Sequence, residues 1–234
     1  LIWFGNNLRV HDNEALHSAA KAKKVVAVYF FDPRHFQINS FGFKKTERFR
    51  AKFLLETVHQ LKRNLEKLNI VLLVYHEKPE DKIPELVERF NINTIFLQNE
   101  WTSEEEHVVQ TVENRVPNSV SFHKTFDQFL FHPDDILFDS YTQIPQEFTV
   151  FRKKSEKHTQ VRPCFDKPAP RPTENRVESI TKIPTLEALG FSNFETDHRS
   201  AFPFKGSENN ALERIQHYFW DSKKLTYYKK TRNG

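Results

Sequence analysis

The sequence predicts an α/β fold, in which a Rossmann-like parallel sheet of about five strands with flanking helices is followed by a long connector and the first helix of an all-α domain. Three observations lead to this prediction. Short apolar runs recur through the first 130 residues, amphipathic helical patterns separate them, and both patterns stop near Leu130. Alternating strands and helices are typical of right-handed βαβ crossovers, so we expect parallel strands.

The predicted strands are short runs rich in β-branched and aromatic residues, as expected for strands that are buried on both faces. They are residues 1–4, 25–31, 70–75, 94–97 and 119–122.

The helices between them have apolar residues at three- and four-residue spacing. The clearest begins after Thr46, an expected N-cap, and ends at Leu68. Another follows Pro79, and a third begins at TSEEEHVV, residues 102–109, which offers two candidate capping boxes.

After Leu130 the pattern changes. PQEFTVFRKKSEKH, residues 145–158, predicts one short amphipathic helix, and the five prolines from residue 159 to Pro184 inclusive predict an irregular or extended connector. Helical character returns after FKGSENN, where Ser207 is an expected N-cap.

The first loop joins the strand at residues 1–4 to a helix predicted over 13–22, so it should lie at the carboxyl edge of the sheet, where α/β proteins bind ligands. The five glycines of the chain form neither G-x-G-x-x-G nor a P-loop, which excludes dinucleotide binding of the usual kind and P-loop NTPase chemistry. The His, Cys and Ser residues form no catalytic or metal-binding motif, so we predict no catalytic residue and no metal ligand.

Lys and Arg exceed Asp and Glu by 35 to 31, and the sequence pI is about 9.0. The excess is local, because residues 151–182 contain nine Lys/Arg and four Asp/Glu. From the sequence alone, a solvated linker is the preferred interpretation of this segment over a DNA-binding surface.

Cys164 is the only cysteine, no run approaches the roughly 20 apolar residues of a membrane span, and no secretory signal is visible. We therefore expect a reducing compartment such as the cytoplasm, with organellar targeting left open, and no membrane contact. The chain contains no Met and begins within an apolar run, so we expect it to be a fragment of a longer protein.

The segment WFGNNLRVHDNEAL, residues 3–16, resembles the W-F-R-x-D-L-R-x-x-D-N-x-A-L segment of the photolyase and cryptochrome family. Gly5 stands where the family usually has Arg, and Asn7 where it usually has Asp. Seven further segments follow in the order of the DASH branch of cryptochromes: VYFFDPR, FGFKKTERFRAKFLLETVHQLKRNLEKLN, KPEDKIPELVERFNINTIF, NEWTSEEE, FRKKSEK, FPFKGSENNALERIQHYFW and YKKTRNG. Within them, GSE at 206–208 replaces the family's usual G-G-E.

The resemblance implies a two-domain flavoprotein with an α/β antenna domain over 1–130, a connector over 131–200 and the start of a truncated helical FAD-binding domain over 201–234. The intact protein would bind FAD and use light to split cyclobutane pyrimidine dimers, preferably in single-stranded DNA, where extruding a damaged base costs less. The FAD pocket and the DNA-docking surface would lie largely beyond residue 234. The fragment is therefore expected to be an inactive monomer.

The resemblance also implies a methenyltetrahydrofolate antenna in the α/β domain. A pterin needs a carboxylate that accepts from its N–H groups and an apolar wall for its ring. Glu100 is the first candidate for this carboxylate and Glu104 the second, although acids in a helix's first turn are also favoured by the helix dipole. Trp3, Phe4 and Arg9 complete the candidate cofactor-binding set. Trp3 and Phe4 are more often core residues, and Arg9 offers a tie to a neighbouring acid.

Two other functions stay open from the sequence. One is a blue-light signalling cryptochrome without repair activity on the same scaffold. The other is a stand-alone nucleotide-binding α/β module, which would bind its nucleotide without further chain.

Overall fold

The computed structural model describes residues 1–178, 181–199 and 204–232. Five strands form one sheet in the order β3-β2-β1-β4-β5, and every neighbouring pair is parallel. The strands are β1 (Ile2–Phe4), β2 (Ala27–Phe30), β3 (Leu72–Tyr75), β4 (Thr94–Gln98) and β5 (Ser121–Thr125). The predicted parallel α/β fold is confirmed, with β2, β3 and β5 each starting two residues later than expected.

Both faces of this sheet are covered by helices, namely α1 (Glu14–Ala19), α2 (Arg48–Glu66), α3 (Pro79–Phe90) and α4 (Ser103–Arg115). After the sheet the chain forms α5 (Phe148–His158), α6 (Glu208–Gln216) and α7 (Tyr228–Thr231). One core contains Phe4 with apolar residues of α1 and α2, and the other contains Trp3 with apolar residues of α3 and α4. The two cores lie on opposite faces because successive residues of a strand point to opposite sides.

Two predicted helix caps are wrong, and one is confirmed. Glu47 rather than Thr46 is the N-cap of α2, and buried Thr46 instead donates its N–H to the carbonyl of His35. No capping box forms at α4, because its N-cap Thr102 makes no side-chain hydrogen bond and the first acids of the helix face a lysine on another loop. Ser207 caps α6 as predicted, accepting from the N–H of Asn210 at 3.2 Å.

The connector returns over the α/β sheet as a largely irregular chain, interrupted by α5 and by short 3-10 turns. Arg171 donates to three carbonyl oxygens at and just beyond the end of α1, at 2.5–2.7 Å. Buried Asn175 bonds both the N–H and the carbonyl of Val25, and Leu186 and Leu189 enter the core beside α2. The irregular connector is confirmed, whereas the division at residues 130 and 200 stays a prediction, and residues 200–203 lie outside the described part of the chain.

Candidate functional site

The sheet has a topological switch point between β1 and β4. From β1 the chain proceeds to β2 and β3 on one side, and then crosses to β4 and β5 on the other. Open parallel sheets bind ligands at such a point, outside the carboxyl ends of the strands. Here the loops after β1 and β4 meet, since the side-chain amide of Asn6 donates to Oε1 of Glu100 at 3.1 Å. The topology thus places Glu100 where a ligand is favoured.

The first loop, residues 5–13, is held in shape by two buried asparagines. Asn13 caps α1 by accepting from the N–H of Leu16 at 2.9 Å, and its amide donates to the carbonyls of Asn7 and Arg9. Asn7 accepts from the N–H of Gly5 at 3.2 Å. Because each asparagine binds backbone within the same loop, the loop keeps a defined shape without a glycine pattern.

Arg9 ties this loop to the segment after β5. Its guanidinium donates to the carbonyls of His11 and Asp12 at 2.6–3.1 Å and to the carbonyl of Asp127 at 3.0 Å. The Asp127 carboxylate lies 3.7 Å from the same guanidinium. Burial raises the pKa of the Asp127 carboxyl, and the charge of Arg9 partly opposes this rise. These contacts support the tie to a neighbouring acid, while a cofactor contact by Arg9 stays a prediction.

Glu208, at the start of α6, reaches the other side of the first loop. Its carboxylate accepts from the N–H groups of Val10 and His11 at 2.8–3.1 Å, and Nδ1 of His11 lies 2.9 Å from Oε1. Asn64 of α2 donates to Oε2 at 3.1 Å. The Glu208 side chain is only 6% exposed, so a desolvated charge joins the first loop, α2 and α6.

Only one of the two Glu100 carboxylate oxygens accepts hydrogen bonds from described residues. Oε1 accepts from Asn6 and also from the side-chain amide of Gln98 at 3.0 Å. In the described part of the chain, no hydrogen bond is donated to Oε2. A Cβ on Gly5 would lie 3.4 Å from Oε1, so the arginine usual in the family would begin beside this carboxylate. With glycine there, Glu100 is left with amide partners only.

Among the described residues, several buried polar atoms without a hydrogen-bond partner lie in the loops after β1, β4 and β5 and in the first turn of α4. Such atoms are rare, and a position for water or a ligand is one explanation for them. Five lie at or after the carboxyl ends of β1, β4 and β5: Nδ2 of Asn7, Oε1 of Gln98, Oε2 of Glu105, Oδ1 of Asp127 and Oε1 of Gln128. Four of the five are oxygen acceptors, so the hydrogen-bonding capacity left over at this edge of the sheet is mainly for donors.

Glu104 lies in a different environment. Its side chain is 72% exposed and forms an ion pair with Lys45, which is also 3.4 Å from Glu105. The Lys45 ammonium lowers the pKa of the Glu104 carboxyl. Glu104 therefore ties the loop before α2 to the first turn of α4, and it does so at the surface.

Trp3 and Phe4 lie in the interior. Trp3 is 8% exposed and packs edge to face against Phe30, with ring centroids 6.4 Å apart. Phe4 is 1% exposed in the opposite core. Their observed contacts are those of core residues, and a cofactor contact by either stays a prediction.

Sequence reasoning did not identify the residues that surround Glu100. Trp101 is 54% exposed and packs against Phe126 and Phe129, with ring centroids 5.4 and 5.5 Å away. This aromatic group is an exposed apolar surface that begins one residue after Glu100 in the chain. The sequence NEW, residues 99–101, could have indicated Trp101, because it follows the candidate Glu100 directly. Asn6 and Gln98 are recognisable as partners of Glu100 only once the strand order is known.

Among the described residues, no group of three or more His, Cys, Asp or Glu side chains is arranged to hold a metal ion. In the same part of the chain, no helix has the length and apolar character that crossing a membrane requires.

The DNA photolyase family model matches residues 1–173. The fold, the switch-point loops and this match define the class of protein: the chain belongs to the DNA photolyase family. Within that family it is similar to cryptochromes DASH. It is 42% identical to cryptochrome DASH of Gloeobacter violaceus over 236 residues, covering all of this chain and 47% of the relative. It is 38% identical to cryptochrome DASH of Danio rerio over 233 residues, covering 98% of this chain and 45% of the relative.

A solved cryptochrome from Synechocystis superposes on the whole chain with a TM-score of 0.88 at 36% identity, and the match covers 48% of that structure. The chain therefore spans about half the length of the relatives that it matches. The family match assigns the chain to the photolyases and cryptochromes.

Proposed function

We propose that this chain is the antenna-bearing part of a light-driven, FAD-dependent DNA photolyase of cryptochrome DASH type. The observation that carries the antenna assignment is the Glu100 carboxylate, which lies at the switch point with one oxygen free of described donors.

The residues around Glu100 fit a pterin. The amino and ring N–H groups of methenyltetrahydrofolate are donors, and Oε2 of Glu100 together with Oε1 of Gln98 supplies acceptors. Trp101, the next residue after Glu100, supplies an exposed aromatic ring. When bound, this folate would absorb near-ultraviolet light and pass the excitation to the flavin. Glu100 would orient the pterin, and Trp101 would keep water from one face of its ring.

FAD binding and photochemistry belong to the whole protein in this proposal, because the chain spans about half the length of its relatives. The helical FAD domain would begin near residue 201, and α6 would be its first helix. The DNA substrate would be a cyclobutane pyrimidine dimer in a single strand, where less pairing must be broken to extrude the lesion. Exposed Cys164 is consistent with a reducing compartment, either the cytoplasm or an organelle.

The antenna assignment is tested by titrating the purified protein with methenyltetrahydrofolate and following its near-ultraviolet absorption and fluorescence. In Glu100→Gln an acceptor oxygen is replaced by an NH₂ donor, which would face the donors of the pterin. We expect folate affinity to fall about tenfold or more, as for loss of a charge-assisted hydrogen bond.

Glu104→Gln is the matched control, since it makes the same chemical change four residues away on an exposed side chain. Its folate affinity is expected to equal that of the unchanged protein. Equal affinity in both variants, or a loss in Glu104→Gln alone, would remove Glu100 from the site.

Repair is tested on the whole flavin-loaded, reduced protein, illuminated with a dimer-containing single-stranded oligonucleotide. We expect dimers to disappear in the light and to persist in the dark. Persistence in the light would leave the signalling cryptochrome as the function of the whole protein. This experiment and the folate titration have separate readouts, so one assignment can fail without the other.

A further inference from the structure

Two carboxylates contact the first loop at its opposite ends. Near the start of the loop, Asn6 donates its side-chain amide to Oε1 of Glu100 at 3.1 Å. Further along, the N–H groups of Val10 and His11 donate to Glu208, the first residue of α6, at 2.8–3.1 Å. The loop therefore lies between the candidate ligand site and the helical segment.

Hydrogen bonds inside the loop connect these two contacts. The amide of Asn13 donates to the carbonyls of Asn7 and Arg9 at 3.1 and 2.9 Å, and the N–H of Arg9 donates to the carbonyl of Asn7 at 2.7 Å. Oδ1 of Asn7 accepts from the N–H of Gly5 at 3.2 Å. Both asparagines are buried. Because bonded and packed groups carry energetic coupling, a shift at one end of this loop is transmitted to the other.

The Glu208 end of the loop is firmly held. The Glu208 side chain is 6% exposed, and Oε2 accepts from Asn64 at 3.1 Å. Asn64 belongs to α2, whose apolar residues pack in the same core as Phe4. Val10 is itself buried. This end of the loop therefore keeps its place as long as the carboxylate of α6 stays between the loop and α2.

The Asn6 end has fewer contacts of its own. Asn6 is exposed, and among the described residues its side-chain amide donates only to Glu100. Gln98 donates to the same oxygen at 3.0 Å, but it is buried and belongs to β4. The orientation of Glu100 thus depends on one contact that the sheet fixes and one that follows the first loop.

We infer that Glu208 is a positioning residue for Glu100. By holding the first loop it holds Asn6 against Oε1, which leaves Oε2 available to a ligand that donates hydrogen bonds. This role rests on the proposed function of Glu100 as the carboxylate that binds the pterin. It makes the affinity of the antenna site depend on the position of α6, although α6 does not touch Glu100.

A double-mutant cycle tests this coupling in the 234-residue chain, with methenyltetrahydrofolate as the ligand. Asn6→Ala and Glu208→Ala should each lower folate affinity about fivefold, as for one net hydrogen bond. The double variant should also lose about fivefold, whereas two independent losses would multiply to roughly 25-fold. Glu213→Ala, which removes an exposed acid of the same helix, is the matched control and should leave the affinity unchanged.

Glu208→Asp serves as a second variant that keeps the charge. Its carboxylate is one methylene shorter and cannot hold Val10, His11 and Asn64 together. We expect it to remain folded where Glu208→Ala does not, and to lower folate affinity in the same direction. A loss of affinity in this variant cannot come from a change of net charge.

A further readout needs no folate. The side-chain amide resonances of Asn6 and Gln98 in ¹H–¹⁵N NMR spectra report on their hydrogen bonds to Glu100, so Glu100→Gln should shift both. The Glu208 variants should shift the resonance of Asn6 and leave that of Gln98 in place. If the unchanged chain binds no folate, the antenna assignment fails, while these resonances still decide the role of Glu208.

Three results would overturn this role of Glu208. The first is additive losses in the cycle, or a loss in Glu213→Ala equal to that in Glu208→Ala. The second is an Asn6 resonance that neither Glu208 variant moves. The third is an equal shift of the Asn6 and Gln98 resonances, which would indicate a general loosening of the sheet.

Discussion

The Glu208 carboxylate accepts a 2.8 Å hydrogen bond from the backbone N–H of His11, across 197 residues of sequence. The same carboxylate accepts from Val10 and Asn64. One side chain therefore fixes the first loop of the sheet against α2 and α6. The family's usual G-G-E keeps this acid, and the structure gives it a role in joining the helical segment to the α/β sheet.

Removing this carboxylate should destabilise the chain. Glu208→Ala leaves the N–H groups of Val10 and His11 without their acceptor, so we expect the free energy of unfolding to fall by about 2 kcal/mol. Urea denaturation measures the change. Glu213→Ala, an exposed acid on the same helix, should have little effect. Equal midpoints for the two variants would show that the contact contributes nothing to stability.

Replacing Ser207 by glycine should stabilise the folded chain. The Ser207 φ of +149° is a backbone conformation that favours glycine, and the family usually has glycine here. Ser207→Gly relieves this backbone strain. It also removes the side-chain cap, but glycine at an N-cap costs only a few tenths of a kcal/mol relative to serine. We expect a net gain of about 1 kcal/mol in thermal or urea unfolding. Ser207→Ala, which loses the cap and keeps the strain, should lose about 1 kcal/mol.

Gly206 should tolerate no side chain. A Cβ there would lie 2.2 Å from the carbonyl oxygen of Phe53 and 2.5 Å from Oγ1 of Thr57, both on α2. Gly206→Ala must push α6 away from α2, so we expect a loss of about 2 to 3 kcal/mol. Relative to the unchanged chain, the variant should show faster amide hydrogen exchange, and the increase should be larger in α6 than in the sheet. A variant with unchanged protection in α6 would mean that α2 and α6 are not packed this closely in solution.

Arg9 should not be replaceable by lysine. Its guanidinium donates hydrogen bonds to the carbonyl oxygens of Asp12 and Asp127 at the same time. A lysine ammonium cannot reach both oxygens in this geometry. We expect Arg9→Lys to lose about 1 kcal/mol and to speed amide exchange over residues 5–12. Arg50→Lys, at an exposed position of α2, is the control. Comparable exchange in both variants would contradict the tie between the first loop and Asp127.

His35 should make stability depend on pH. Burial lowers the pKa of its imidazole in the folded chain. Since the unfolded chain then binds the proton first, the free energy of unfolding should fall as the pH drops below about 6.5, until the folded-state pKa is passed. Urea midpoints from neutral to mildly acidic pH measure this fall. It should be smaller in His35→Gln and unchanged in His107→Gln, which alters an exposed histidine of α4.

The sequence predicted the strands, the long helices, the short helix α5 and the Ser207 cap, because each depends on side-chain spacing within one element. The sequence did not predict the caps of α2 and α4, because there a side-chain cap within the helix competes with contacts to residues distant in the chain. Glu104 and Glu105 face Lys45, which lies 59 and 60 residues earlier in the chain. No local pattern contains that information.

By itself the sequence determined the class of sheet, the absence of a phosphate-binding glycine loop and the resemblance to photolyases, since these depend on composition and on order along the chain. Tertiary structure decided which candidate carboxylate lies at the switch point. Glu100 and Glu104 are four residues apart, yet the reversal of strand order brings Asn6 to Glu100, whereas Lys45 meets Glu104 at the surface. The physical reason is that a ligand site is formed by loops that converge only after the strands have paired, so its partners are set by strand order rather than by sequence distance.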